Sequence, residues 1–376
     1  MRAIITLVLL LSSALIPFKA LAGEPVQKEW TLIVFLNGHN NLDPFGTKDI
    51  NEMEQIGSTE DSNIVVQWAS LKAQNTKRLL VQKDQNTTVV TSPTIETLPR
   101  IDMGDYKELI NFIAWAVKKY PAKRYMIDVW NHGSGWILNT DPEARGISYD
   151  DLTGNHITTE ELALAMSEAK KIIGHKVDIY ASDACLMAMA EIAVEMKDSV
   201  AYFGGSEETE PADGWPYEKL LPAFKKNATA PEVLTTLTRE YVAYYKALGQ
   251  SRITFSAYDL AYSDELMASI KDLMPLIVSK PKKELQNASR QSTRFAEWSY
   301  TDLLHLSKIL KIDSKLEPAL KKFVIANDMS TTFKAVGGVA VWLPTYKPAD
   351  TLMERYKLLE FHSETGWGDA IKFFLD

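Results

Sequence analysis

The chain has 376 residues, with 46% apolar and 24% charged residues and a formal charge of −8. That length allows one large domain or two ordinary ones, and the acidity argues against nucleic acid or an anionic membrane as a partner. The only cysteine is Cys185, so no internal disulfide framework exists.

Residues 1–22 have the layout of a secretory signal peptide: a basic Arg2, an apolar Ile4–Ile16, and small residues at Ala20-Leu-Ala22 for cleavage. The apolar stretch is short for a membrane span. No cysteine stands near the cleavage point to carry a lipid. The expected product is an exported protein, periplasmic or extracellular, without stable membrane anchoring. Loss of the leader with Arg2 and Lys19 takes the charge to −10.

Runs rich in β-branched and aromatic residues then alternate with segments of helical period, the pattern of a mainly parallel α/β sheet flanked by helices. Strands are expected at Thr31–Leu36, Asn63–Ala69, Arg78–Gln82, Tyr125–Trp130, Lys176–Ala181 and Ala201–Gly204. Helices are expected at Tyr106–Lys119, Thr159–Ile172 and Leu186–Met196. Thr158-Thr-Glu-Glu161 supplies capping and acidic residues for the second of these. Beyond residue 225 the chain is more helical, with candidates at Pro231–Ala247, Leu260–Val278 and Thr301–Leu310. Strands are also possible at Ile253–Tyr258 and Gly338–Leu343, while the polar Ser279–Glu297 reads as a long loop or a subdomain joint. The organisation expected is a leader (1–22), a catalytic core (23–225) and a C-terminal part (226–376) that continues the same sheet with added helices.

The lone Cys185 and His132 both lie just past the C-terminal end of an expected strand, where open α/β sheets place their sites. They stand 53 positions apart with one helix between their strands, which suits neighbouring parallel strands joined by a crossover. A thiol at the start of Leu186–Met196 would feel the positive end of the helix dipole, which favours thiolate. Gly133-Ser-Gly135 lets the backbone approach a substrate, and the N–H groups of Gly133 and Cys185 are candidate oxyanion donors. Asp183 reads most simply as the cap of the cysteine helix and Asp213-Gly214 as a turn. A carboxylate in a side-chain pocket would select Arg or Lys. Glu207, Glu208 and Glu210 read as a solvated acidic rim. Residues 139–158 read as a polar loop carrying one basic residue, Arg145, of the sort proteases nick. Asp141, Asp150 and Asp151 lack the spacing of a calcium loop, so no metal is assigned.

Seven blocks resemble the clostripain-type (C11) cysteine peptidases of the caspase-like clan CD. They are Leu36-Asn-Gly-His-Asn-Asn-Leu42, Asp49-Ile-Asn-Glu-Met-Glu54, Trp130-Asn-His-Gly-Ser-Gly-Trp136, Asp183-Ala-Cys-Leu-Met187, Gly205-Ser-Glu-Glu208, Asp213-Gly-Trp-Pro-Tyr217 and Gly337-Gly-Val-Ala-Val-Trp-Leu-Pro344. The resemblance implies a caspase-like fold and cleavage of proteins or peptides after basic residues, Arg above all. It implies a His132/Cys185 dyad without an obligatory third member, pocket acids at Asp183 and Asp213, and self-cleavage between histidine and cysteine, for which Arg145 is the matching residue. It implies no obligatory cofactor and leaves calcium open. At His39 the family pattern has an acidic or amide residue, and this chain has an imidazole. The alternatives are a clan CD peptidase of different specificity, or an exported α/β binding protein in which Cys185 is merely buried.

Overall fold

The structure, a computed structural model, describes residues 26–137, 146–333 and 336–375. The leader and Arg145, with Asp141, therefore lie outside the described residues. The first half of the chain runs β1 (Lys28–Gly38), α1 (Asp43–Ile56), β2 (Ser62–Ser70), β3 (Asn75–Leu80), β4 (Thr94–Pro99), α2 (Tyr106–Lys119) and β5 (Ala122–Trp130). A hairpin of β6 (Ile147–Asp150) and β7 (Asn155–Ile157) follows, then α3 (Thr159–Ile173), β8 (Val177–Asp183), α4 (Ala190–Glu195) and β9 (Val200–Gly205). The second half holds α5 (Tyr217–Leu220), α6 (Ala230–Ala247), β10 (Thr254–Asp259), α7 (Ser263–Val278) and α8 (Lys282–Gln291). It ends with β11 (Tyr300–Asp302), α9 (Leu303–Ile309), α10 (Leu316–Phe323), β12 (Val324–Met329), β13 (Ala340–Trp342), α11 (Asp350–Tyr356), α12 (Glu360–Thr365) and α13 (Trp367–Leu375).

Nine strands form one sheet in the order β12-β10-β9-β8-β5-β1-β2-β3-β4. The five from β9 to β2 are parallel, and antiparallel strands flank them on both sides. Strand β1, beside the middle strand β5, is buried along nearly its whole length, because helices cover both faces. Its alternate residues enter two separate cores. Ile33 and Phe35 pack with Phe112 of α2 and Leu162 of α3, while Leu32, Val34 and Leu36 pack with Ile50 of α1 and Leu237 of α6. Among the described residues no helix is long and apolar enough to cross a membrane.

Several expectations need correction. The Ser279–Glu297 segment is not one loop: it contains α8, a polar helix that buries only Leu285, Ala288 and Ser289. Gly338–Leu343 contributes β13, which pairs with β11 in a separate two-stranded sheet; strand β12 joins the main sheet instead. Residues 147–157 of the expected polar loop fold back as the β6–β7 hairpin, with Ile147 and Ile157 fully buried.

Helix α3 is the crossover that returns the chain from β5 to β8. Thr158 caps it, its hydroxyl accepting from the Glu161 N–H, and the Glu161 carboxylate accepts from the Thr158 N–H in return. Thr158→Ala should lower stability by about 1 kcal/mol, read as an earlier denaturant midpoint with an unchanged slope.

Candidate active site

Strands β5 and β8 pair in parallel with Trp130 opposite Asp183. Neighbouring strands lie about 4.8 Å apart. His132 and Cys185 each stand two residues beyond that pair, so the register alone brings both to one edge of the sheet. A cavity of about 270 Å³ opens there, lined by His132 and Cys185 with Trp130, Asp183, Glu210 and Gly214 among its other walls.

Cys185 does not start a helix. It sits in a turn after β8, Leu186 takes a left-handed φ of 65°, and α4 begins only at Ala190. The turn is stitched to the loop after β9, with the Leu186 N–H donating to the Glu208 carbonyl and Ala188 N–H to Ser206. The dipole argument for a thiolate therefore fails. Asp183 is the last residue of β8, not a helix cap. What meets the sulfur is the Glu210 backbone N–H, 3.2 Å from Sγ. Burial pushes the thiol pKa up; the Glu210 N–H works against this, and the charges of Asp183 and Glu208 add to it. Burial pushes the His132 imidazole down, opposed by the charge of Asp151. Both shifts favour a neutral thiol beside a neutral imidazole at rest. Nε2 of His132 lies 2.6 Å from Oδ1 of Asn41.

Gly133 meets the Cys185 turn directly, since a Cβ there would stand 2.3 Å from the Cys185 carbonyl oxygen. Its bridge to Ile147 is closed by Ser134 N–H to Gly146 and Ser148 N–H to His132. Neither bond uses the Gly133 N–H. Among the described residues no other residue accepts from the N–H of Gly133 or of Cys185, and the Cys185 N–H acts on its own sulfur, drawing the thiol pKa down.

Carboxyl groups gather beneath the cavity. Asp183 is buried and accepts from the Trp215 N–H at 3.0 Å, with the Tyr217 hydroxyl 3.1 Å from the same oxygen and 2.7 Å from Asp128. Trp130 Nε1–H donates to Asp49 at 2.6 Å, and Trp215 Nε1–H to Glu210 at 3.1 Å. Among the described residues no Lys or Arg hydrogen-bonds any of these four acids. Burial pushes Asp183 up to about 7. It also holds Asp49, Asp128 and Glu210 well above the usual carboxylate range, with the charge of Asp183 adding in each case. Asp213 stands apart: its side chain is 48% exposed and pairs with Lys48 at 3.1 Å.

The expected acidic rim is not solvated. Glu207 and Glu208 are fully buried, Glu208 paired with Arg252 at 2.5 Å, and Glu210 is partly exposed as a residue with its carboxylate buried. Asp150 accepts from His39 at 2.7 Å and from the Met103 and Leu152 N–H groups, which occupies its carboxylate. No group of metal-ligating side chains occurs among the described residues. The sequence reading missed Asn41, Asp49, Asp128 and Tyr217 as parts of the site. All but Asp128 lie inside blocks already quoted for the family resemblance, but only the fold reveals what they touch.

A thiol and an imidazole at adjacent strand ends of such a sheet define the class, a cysteine-type peptidase. The sequence profile of the clostripain family (peptidase C11) matches residues 34–372, and the chain belongs to that family. Over 143 residues it is 30% identical to clostripain of Hathewaya histolytica, a stretch covering 35% of this chain and 27% of that protein. The fold is similar to a secreted C11 cysteine protease of Bacteroides thetaiotaomicron solved with an irreversible peptide inhibitor. That match has a TM-score of 0.73 and 22% identity over 91% of this chain and 99% of the other. An inactive zymogen C11 protease of Parabacteroides distasonis matches with a TM-score of 0.71 and 21% identity, over 91% and 99%. The caspase-like fold is thus shared.

A buried acid with a raised pKa binds its proton more tightly in the folded than in the unfolded chain. Stability from such a group is present below the unfolded value and lost as pH rises toward the folded one. For Asp183 the window runs from the ordinary carboxylate value of 3.8 to about 7. Asp183→Asn should therefore raise Tm at pH 8 by roughly 3 °C or more, with the gain vanishing near pH 4 in a calorimetric series.

Proposed function

We propose that the protein is an exported cysteine endopeptidase that cleaves after Arg or Lys. Cys185 is the nucleophile, His132 its acid and base, and the N–H groups of Gly133 and Cys185 hold the oxyanion. The observation that carries this reading is one cavity lined by His132, Cys185 and the buried acid Asp183. Asp183 precedes the nucleophile by two residues, so a side chain held at its carboxylate presents the next peptide bond to Sγ.

The chemistry follows from the neutral resting pair. As Sγ bonds to the carbonyl carbon, its proton passes to the imidazole. The imidazolium then protonates the leaving nitrogen as the C–N bond breaks, leaving an acyl-thioester. Water attacks that carbon, giving its proton to the same imidazole, which returns a proton to sulfur as the C–S bond breaks. A guanidinium or ammonium entering the pocket restores charge to Asp183 and pays back its desolvation. Asp183 is the principal selecting acid in this reading. Asp213 serves at the rim, once a substrate cation replaces Lys48.

Matched peptides ending in Arg, Lys or norleucine test the reading. Hydrolysis should occur only after Arg and Lys and be lost in Cys185→Ala. Asp183→Asn should cut kcat/KM for Arg peptides by roughly 100-fold or more. KM for Arg should rise as pH falls below about 7, where an empty Asp183 holds its proton. Activity retained in Cys185→Ala, or equal turnover of all three peptides, would refute the nucleophile or the specificity.

Self-activation by cleavage after Arg145 is part of the proposal. The next residue, Gly146, is anchored: its N–H donates to Gly135 and its carbonyl accepts from Ser134. Active protein should run as two fragments on a denaturing gel, and Arg145→Ala as one. Two fragments in that variant would move the cut elsewhere.

A further inference from the structure

The block Leu36–Leu42 has no part in the chemistry set out above. We propose that Asn41 positions His132, its side-chain carbonyl fixing the imidazole so that Nδ1 is the basic nitrogen presented to Cys185. The proposal rests on the peptidase reading and completes its machinery.

The contact is direct, with Nε2 of His132 2.6 Å from Oδ1 of Asn41. An amide oxygen only accepts, so Nε2 must carry hydrogen, and the neutral ring keeps its lone pair on Nδ1. No described residue hydrogen-bonds Nδ1. The proton shuttle therefore closes at one atom. Nδ1 takes the proton from Sγ as the C–S bond forms and gives it to the leaving nitrogen as the C–N bond breaks. It then takes a proton from water as the C–O bond forms and returns it to sulfur as the thioester breaks. Nε2–H stays on Asn41 throughout, and that bond strengthens whenever the ring is charged.

Asn41 itself is exposed, so its place depends on its neighbours, and they are built for it. Asn37, His39 and Asn40 are all buried. Asn37 Oδ1 accepts from the His39 N–H, and Asn40 Oδ1 from the Leu42 N–H, closing one turn ahead of Asn41 and one around it. Asn37 and Asn40 side-chain amides both donate to the Tyr149 carbonyl, and His39 meets Asp150 at 2.7 Å. The loop is thereby bolted to β6, which is in turn tied to Asn131, the residue before His132, through Tyr149 N–H. Burying polar groups is costly unless they are satisfied, and of the side-chain atoms of Asn37, His39 and Asn40 only Nε2 of His39 is buried without a partner. Here they converge on one exposed amide over the imidazole. The unexpected His39 is one of the bolts. Other ionisable groups facing His132 are Asp151, from the hairpin turn, and Cys185, Asp183 and Glu210 across the cavity.

The test compares Asn41→Ala and Asn41→Asp in the full mature protein, by kinetics on an Arg peptide and by the pH dependence of Cys185 alkylation with iodoacetamide. Cys185 is the only cysteine, so intact mass reads it unambiguously. Asn41→Ala should lower kcat roughly 10- to 100-fold with KM within about twofold, and alkylation at neutral pH should fall in parallel. Asn41→Asp keeps an acceptor and adds a charge that favours imidazolium. It should hold kcat within about fivefold and move the acid limb of both profiles, where the imidazole loses its proton, up by roughly one pH unit. Wild-type kcat and profile in Asn41→Ala would overturn the proposal. So would an Asn41→Asp variant as impaired as Asn41→Ala with an unmoved profile, since that marks a structural role. Alkylation needs no peptide turnover. If the wild type cleaves no peptide yet the variants shift alkylation as stated, the peptidase reading fails and this one stands.

Discussion

The parallel pairing of β5 with β8, with Trp130 opposite Asp183, is the constraint on which the site depends. Side chains 53 positions apart line one cavity because each lies two residues past the same rung. A slip of one residue would turn every side chain of a strand to the other face, parting His132 from Cys185 and taking Asp183 out of the cavity wall. The register is held by burial on both faces: Ile127 and Val129 enter one core, Met126 and Trp130 the other. The helices on either side are thus part of the aiming device. Their contribution to chemistry is to leave β5 and β8 only one way to pair.

Electrostatically the site is arranged against charge at rest. Thiol and imidazole are both pushed toward their neutral forms, and four carboxyl groups crowd beneath them with hydrogen bonds from Trp130, Trp215 and Tyr217 but none from a basic side chain among the described residues. Crowded buried acids cannot all ionise. Under the proposed specificity an arriving cation would relieve that strain, making recognition and ionisation one event. The stability forfeited in the empty pocket is supplied by the two apolar cores around it.

Much of this was legible in the sequence. The apolar runs marked the six central strands to within a few residues, and the paired placement of His132 and Cys185 at strand ends was visible from spacing. Three kinds of feature were not. Apolar Leu186–Met196 looks helical throughout, yet the backbone from Cys185 to Ala188 is captured by the loop after β9, and no local pattern signals a long-range stitch. Glu207 and Glu208 look solvated because they are charged; Arg252, 44 residues on, is what lets Glu208 be buried. Strand β12 and helix α8 were missed because each is half-buried or polar and carries little periodic signal. The Asn41 contact spans 91 positions and depends on a loop whose residues satisfy one another only once folded.

The central claim is that this register aims Cys185 at the bond following a basic residue held by Asp183. The most direct measurement is the labelling rate of the protein by a peptidyl-arginine ketone electrophile against its norleucine counterpart, read by intact mass and peptide mapping. The account predicts a single adduct on Cys185, formed roughly 100-fold faster or more with arginine. Equal rates for the two reagents, or an adduct elsewhere on the chain, would contradict it.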